Sequence, residues 1–350
     1  MPPLNTKRWE KFLIGDLFDI EIGKAVDGNK VDKISGHYAY ITRKENTNGL
    51  DGFIDYDEKF LNAKFPVITV GNETAQPYVQ TFPFFTGTKV NILSPKISLS
   101  RFALMFIAQS LRVHKEKYSY SFTINSTRLR KQPILLPVTD DGKPDFDYME
   151  TYIAAHEEKI LQRYRDYVQT VDAAQILPLS EKTWREFFIS DVTDIISGRD
   201  IYEDEREAGN NPYIGASANN NGVCHFVSNE NETLESNCIS VNRNGSVGYA
   251  FFHPYAALYS NDCRKLRPHV KNEFVSIFIA QQVTAQRGKY NYGYKMGTAR
   301  LKRQKILLPV TDDGTPDFDY MAAFTRNKFA EIVRRYLEVD NVTFDSAAQL

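Results

Sequence analysis

From Asp147 to about Val171 the apolar residues fall three or four apart: Met149, Ile153, Ile160, Tyr164, Tyr167 and Val171, with His156 on the same line. That spacing draws one stripe along an amphipathic helix. A looser version, Met321, Phe324, Ile332, Tyr336 and Val339, predicts a second long helix. Pro144 and Pro316 stand just ahead of these helices, with Asp145, Asp147, Asp317 and Asp319 placed to cap their first amides. Elsewhere the period shortens. Runs such as Pro66–Val70 and Cys238–Val241 are β-branched, punctuated by Gly, Asn and Pro, and read as strands of compact β-rich domains. A shorter helical spacing interrupts them near residues 100–113 and 272–286. The runs Lys117-Tyr118-Ser119-Tyr120-Ser121-Phe122 and Lys289–Lys295 alternate, which predicts strands with three aromatics on one face, packed into the core.

The pattern occurs twice. Arg128-Leu129…Gln132…Ile134-Leu135-Leu136-Pro137-Val138-Thr139-Asp140-Asp141-Gly142 recurs as Arg300-Leu301…Gln304…Ile306-Leu307-Leu308-Pro309-Val310-Thr311-Asp312-Asp313-Gly314. Trp9…Phe12…Ile14…Asp16 likewise recurs as Trp184…Phe187…Ile189…Asp191. A match this long marks a duplicated domain. Between the anchors the copies diverge: residues 23–39 do not resemble 197–212, nor 55–66 residues 228–237. The fold expected is α+β. Two tandem β-rich domains, residues 1–146 and 176–318, are each followed by a long helix, over 147–175 and 319–340. A helix with one apolar stripe and no neighbour in its own domain must bury that stripe elsewhere. Its duplicate is the obvious partner, so the helices are expected to pack antiparallel under a pseudo-twofold axis. The predicted seam contains Met149, Ile153, Ile160, Tyr164, Ile332 and Tyr336. Some 25 helical residues span roughly 37 Å, close to the 34–36 Å of about one turn of B-DNA.

Composition changes the picture little: 42% hydrophobic and 13% aromatic residues suffice for two core-bearing domains. The absence of a long apolar run and of a signal-peptide pattern favours a cytoplasmic protein. Charge matters more. The net value of −1 argues against a nucleic-acid binder at first sight. Yet residues 140–172 hold nine acids against four bases, and residues 312–340 hold seven against four. The helices therefore carry eight net negative charges and the remainder seven net positive ones.

Basic and amide side chains cluster in what remains. Arg128, Lys131, Arg300 and Arg303, with Lys117, Lys289 and Lys295, are candidate phosphate contacts. Arg43, Lys44, Asn46, Asn220, Arg243 and Asn244 lie in the unshared loops and have the donor chemistry that reads guanine and adenine edges. Turns also enrich Asn, and charge runs are ordinarily solvated faces, so charge alone leaves DNA binding open.

Catalytic readings fail. Asn211-Pro212-Tyr213 lacks a second proline, and no Gly-rich cofactor loop follows a strand. Pro144-Asp145 followed by Glu157-Glu158-Lys159 imitates a nuclease signature, but the second copy has no matching Glu-x-Lys. Cys224, His225, Cys238, His253 and Cys263 match no compact zinc spacing. No catalytic or metal-ligating residue is therefore assigned, and an enzyme is not expected. A tandem protein-interaction module with no DNA specificity is the alternative, but the loops are polar rather than apolar.

A Trp-x-x-Phe-x-Ile start, a variable β-rich body, an Arg-Leu…Ile-Leu-Leu-Pro segment and a long helix, all present twice, resemble the DNA-specificity subunit of restriction–modification systems. Type I subunits share this arrangement; the short helices and total length are closer to the separate specificity subunit of BcgI-type systems. One segment departs from the family: a Pro-Pro-rich turn is replaced here by Leu-Pro-Val-Thr-Asp-Asp-Gly. The resemblance implies two target-recognition domains, each reading one half of a bipartite duplex site, with helices fixing the spacing. It also implies methyltransferase or methyltransferase–nuclease subunits as partners. No cofactor is then expected in this chain, while the complex uses S-adenosylmethionine and Mg²⁺ through the catalytic subunit.

Overall fold

The computed structural model describes residues 3–171 and 174–340, and the side chains of the last helix as far as Glu338. Contacts divide the chain into two compact units, Met1–Gln162 and Arg163–Leu350.

The first unit has nine strands: β1 (Trp9–Leu13), β2 (Phe18–Ile22), β3 (Tyr38–Ile41), β4 (Leu50–Ile54), β5 (Val67–Gly71), β6 (Pro77–Gln80), β7 (Phe84–Thr86), β8 (Val90–Pro95) and β9 (Pro133–Pro137). Four make an antiparallel sheet in the order β2-β8-β5-β6, and three make a second sheet, β4-β3-β7, with β3 parallel to β7. A cluster of Ala39, Ile41, Val67, Phe84 and Ile92 spans both sheets. The remaining two strands form a ribbon that closes the domain, with Trp9 opposite Pro137 and Leu13 opposite Pro133. After β1 comes the single turn α1 (Ile14–Leu17), and after β8 comes α2 (Arg101–Arg112). Ser100 caps α2 by accepting from the Ala103 amide. Leu104, Ile107 and Leu111 of α2 then cover Ile68, Val70 and Leu93 of the larger sheet. The short α3 (Ser126–Arg130) leads into β9, and the long α4 (Phe146–Thr170) follows. Asp145 accepts from the Tyr148 amide at 3.0 Å and also pairs with Lys7 at 2.6 Å, which ties the helix start to the start of the domain.

The second unit repeats this plan. Its strands are β10 (Trp184–Phe188), β11 (Thr193–Ser197), β12 (Ala208–Ile214), β13 (Val223–Val227), β14 (Cys238–Asn242), β15 (Ala250–His253), β16 (Leu258–Tyr259), β17 (Cys263–Pro268) and β18 (Lys305–Pro309). The sheet orders are β11-β17-β14-β15 and β13-β12-β16, with the ribbon β10–β18. The helices are α5 (Ile189–Val192), α6 (Glu273–Thr284), α7 (Thr298–Arg303) and α8 (Phe318–Asp340). Asp317 caps Tyr320 at 2.9 Å and pairs with Lys182 at 2.6 Å, the same device as in the first unit. Among the described residues, no helix is long and apolar enough to cross a membrane.

Two expectations are corrected. The stripe on α4 does have a neighbour in its own domain. Met149 is fully buried in the core under α2, Ile153 packs against the same core, and Arg101 of α2 grips Glu157 through two hydrogen bonds of 3.0 and 2.7 Å. In α8, Met321 and Ala322 are similarly taken up by the core under α6. The outer residues of the predicted seam are more open, with Ile160 49% and Ile332 65% exposed. Tyr164 does meet Tyr336 edge to face, with ring centres 5.7 Å apart. Asn327 donates to the Ala174 carbonyl at 2.9 Å and Tyr320 to that of Leu177 at 2.8 Å. Inside the second unit, therefore, the chain after Tyr164 runs antiparallel to α8. The Val339 side chain and residues 172–173 lie outside the described residues.

The alternating aromatic runs are loops rather than strands. Ser119 and Phe122 exchange backbone hydrogen bonds of 3.1 Å across a tight turn, as do Asn291 and Tyr294 at 3.3 and 3.1 Å. Tyr118 stacks on Phe122 and Tyr290 on Tyr294, so the rings on either side of each turn find partners inside the loop. Tyr120, Phe122, Tyr292 and Tyr294 stay exposed instead of entering the core.

Candidate nucleic-acid interface

Three loops meet beyond the strand ends of each domain. In the first they follow β3, follow β5 and precede β8. The Asn72 amide donates to the Lys89 carbonyl at 3.0 Å; in the second domain the Arg243 amide donates to the Asp262 carbonyl at 2.8 Å. Thr42 donates to Gly49, and Gly215 to Gly222, each at 2.8 Å. These bonds set the equivalences: Glu73 corresponds to Asn244, Lys89 to Asp262, and Arg43 to Ala216.

On this common backbone the charges are placed differently, and Lys89 is replaced by the opposite charge of Asp262. In the first domain Glu73 forms an ion pair with Arg43 and lies 3.6 Å from Lys89. Asp51 is held below the usual carboxylate range, against the cost of its burial, by Lys33 at 2.8 Å and by Lys44. In the second domain the acid is Asp262, 3.7 Å from Arg243 and accepting from Asn244 at 3.1 Å. The Arg243 Nε and Asn244 Oδ1 atoms are buried with no hydrogen-bond partner, an incomplete state for polar groups. Asn46 and Asn220 are exposed on turns. Asn220 has φ 51° and precedes Asn221 and Gly222 at 52° and 75°, matching Thr47, Asn48 and Gly49 at 51°, 56° and 77°. Turn geometry thus accounts for the Asn-Asn-Gly run. Glu73, Lys89 and Asp262 carry no sequence signal, since only the fold brings Glu73 to Arg43 and Lys89, and Asp262 to Arg243.

The aromatic loops border these loop clusters. Lys115 pairs with Glu45 at 2.6 Å, and Ile124 donates to the Asn72 carbonyl at 2.8 Å. In the second domain Arg287 lies against Gly248 and over the Tyr249 ring at 4.6 Å. Arg128 and Arg300 are engaged inside the loops. Their guanidinium groups lie 4.1 and 4.0 Å from the centres of the Phe122 and Tyr294 rings, and donate to the carbonyls of Thr123 and Lys295 at 2.7 and 2.8 Å. Lys117, Lys131, Lys289 and Arg303 are exposed, while Lys295 lies 4.7 Å over the Tyr292 ring.

The family model described as the type I restriction modification DNA specificity domain matches residues 6–163 and again residues 181–338. The chain belongs to the type I restriction–modification DNA specificity family. It is 41% identical over 337 residues to the type II restriction enzyme specificity subunit S.BcgI of Heyndrickxia coagulans, covering 95% of this chain and 98% of that one. It is also similar to the S subunit of a type I system from M. genitalium, at 18% identity, 99% and 96% coverage and a TM-score of 0.48. The HsdS subunit of Thermoanaerobacter tengcongensis matches at 12% identity, 94% and 91% coverage and a TM-score of 0.34.

Members of the DNA specificity family are non-catalytic subunits, and the local chemistry of this chain agrees with that role. Asp145 and Glu157, the supposed nuclease acids, are bound to Lys7 and Arg101. The Tyr213 hydroxyl accepts from the buried Ile201 amide at 3.0 Å. Burial pushes the thiols of Cys238 and Cys263 up to about 12, so neither is a ready nucleophile, and both ring nitrogens of His253 are engaged, with the Tyr255 hydroxyl at 3.2 Å and Ser240 Oγ at 2.9 Å.

Proposed function

We propose that this DNA specificity subunit reads a bipartite duplex site, one half per domain, and seats catalytic methyltransferase subunits, with or without nuclease activity, on it. The observation that carries this reading is the pair of reading-loop clusters: equivalent backbone hydrogen bonds support different sets of charged and amide side chains. Arg43 with Glu73 and Lys89 presents one donor and acceptor pattern, and Arg243 with Asn244 and Asp262 presents another. A frame kept alike with contents made different suits two half-sites of different sequence.

The partner surface follows from the repeated parts. In the first domain Leu4, Trp9, Phe106, Leu135, Tyr152 and Ile153 line an apolar groove of about 500 Å³ beside the closing ribbon. The second domain repeats its members: Leu179 and Leu307 are exposed, and Trp184 stacks on Phe278. A surface present twice suits one catalytic subunit per domain. S-adenosylmethionine and Mg²⁺ enter with those subunits, and the assembly works in the cytoplasm, where the DNA is.

Selection from a random duplex library by the chain with its co-expressed catalytic partner tests the reading. Enrichment of two separated sequence blocks is expected; a single continuous block, or none, would refute it.

A further inference from the structure

The aromatic loops share a feature that the reading loops lack: an outward-facing tyrosine is kept in both domains, between flanks that differ, Ser119 and Ser121 against Asn291 and Gly293. Each carries three aromatic positions. At the first, the hydroxyls of Tyr118 and Tyr290 donate to Gln132 and Gln304 at 2.7 and 2.6 Å. At the third, ring character alone is kept, as Phe122 and Tyr294, each under an arginine. The middle position is tyrosine in both, and it is turned outward: Tyr120 is 84% and Tyr292 74% exposed. A tyrosine retained twice at such exposure stabilises no core and serves no packing purpose.

The two domains hold this loop in place by different means. In the first, Asn91 donates to the Ile124 carbonyl at 3.2 Å and accepts from Ser126 at 2.9 Å. In the second, Arg264 donates to Thr298 at 2.7 Å. These two anchors differ, whereas the tyrosine–glutamine bond, the arginine brace and the outward tyrosine are common to both domains. The tip also carries positive charge, from Lys117 and Lys289 and from Lys295 over the Tyr292 ring.

We propose that Tyr120 and Tyr292 are paired, sequence-independent clamps on the sugar–phosphate backbone, one beside each reading-loop cluster. Each phenol hydroxyl donates to a phosphate oxygen while the neighbouring lysine neutralises charge. Phosphate contacts of this kind fix register without carrying sequence information, which is what two otherwise different domains have in common. The inference rests on the DNA reading proposed above.

The test uses the full chain with its co-expressed catalytic partner, a duplex bearing the site enriched from the random library, and an unrelated duplex. Tyr120→Phe and Tyr292→Phe should each weaken binding to both duplexes by several-fold, and Tyr120→Phe combined with Tyr292→Phe by roughly the product of the single losses. The enriched sequence should not change. Lys117→Ala with Lys289→Ala should lower the slope of log affinity against log salt by about two. Unaltered affinity in the tyrosine variants overturns the clamp. So does a changed preference at one half-site, which would make the loop a base reader, or loss of the catalytic partner with DNA binding intact, which would make it a protein dock. If the unsubstituted complex enriches no duplex, the underlying DNA reading fails, and the clamp fails with it.

Discussion

Arg128 and Arg300 change meaning once their contacts are visible. As basic residues of the repeat they are natural phosphate ligands; as folded, each braces an aromatic ring and a backbone carbonyl. Arg128→Ala is therefore expected to loosen the loop over residues 118–124 by about 1 kcal/mol. Faster amide exchange at Phe122 and Ile124, with little change in global melting temperature, is the expected result; slow exchange with a reduced salt slope would restore the phosphate role. A second residue carries a pH signature. Two hydrogen bonds from Arg267, at 2.6 and 2.9 Å, and one ion pair with Lys265 at 2.7 Å bring Glu235 down to about 2. Its folded value lies below its unfolded one. The stability it contributes is full above roughly pH 4.3 and is lost as the pH falls toward 2. The difference in melting temperature between the unsubstituted chain and Glu235→Gln should thus be widest near neutrality and close below about pH 4. A gap independent of pH would contradict the assignment.

Among the elements, the two long helices divide into halves with separate duties. The first turns of α4 belong to a domain core, so Met149→Ala should cost about 2–5 kcal/mol. Ile160→Asp, at a half-exposed position, should cost under about 1 kcal/mol; chemical denaturation of both variants checks the contrast, and equal losses would restore the seam read from periodicity alone. The helix starts were legible because Asp145 and Asp317 act on amides three residues away, within the reach of a local pattern. The duplicated scaffold was legible through its constant spacing. Strand order was not: β2 pairs with β8 through Phe18 and Pro95, and nothing near either residue announces the other. The aromatic loops misled because a tight turn that pairs Ser119 with Phe122 leaves the same alternation as a pleat. The helix seam was legible only in part for a related reason, since a stripe says that a face is buried and not which neighbour buries it: Met149 and Ile153 join their own domain's core, while Tyr164 meets Tyr336. At the interface, basic residues stood out in the sequence, whereas Glu73 and Asp262 gained significance only when the fold brought them to Arg43 and Arg243.

At the scale of the whole molecule, specificity should be separable by domain. Exchanging residues 23–66 for the matching segment of a relative should rewrite one half-site and leave the other, as read from the enriched duplexes; a change in both, or in neither, would break the assignment of one domain to one half. The ion pairs of these loops carry a further consequence. Arg43 already has an anion, Glu73, and Arg243 has Asp262. Any DNA must displace a resident competitor before it gains a contact. A correct base edge, offering two aligned acceptors, repays the exchange. A stray phosphate offers no more than the carboxylate it replaces. Neutralising the competitor, as Glu73→Gln does, should speed capture of unrelated duplex while blurring the choice between sequences. If these loops read bases as proposed, their carboxylates act as a built-in threshold, keeping the subunit from lingering on the vast excess of wrong DNA.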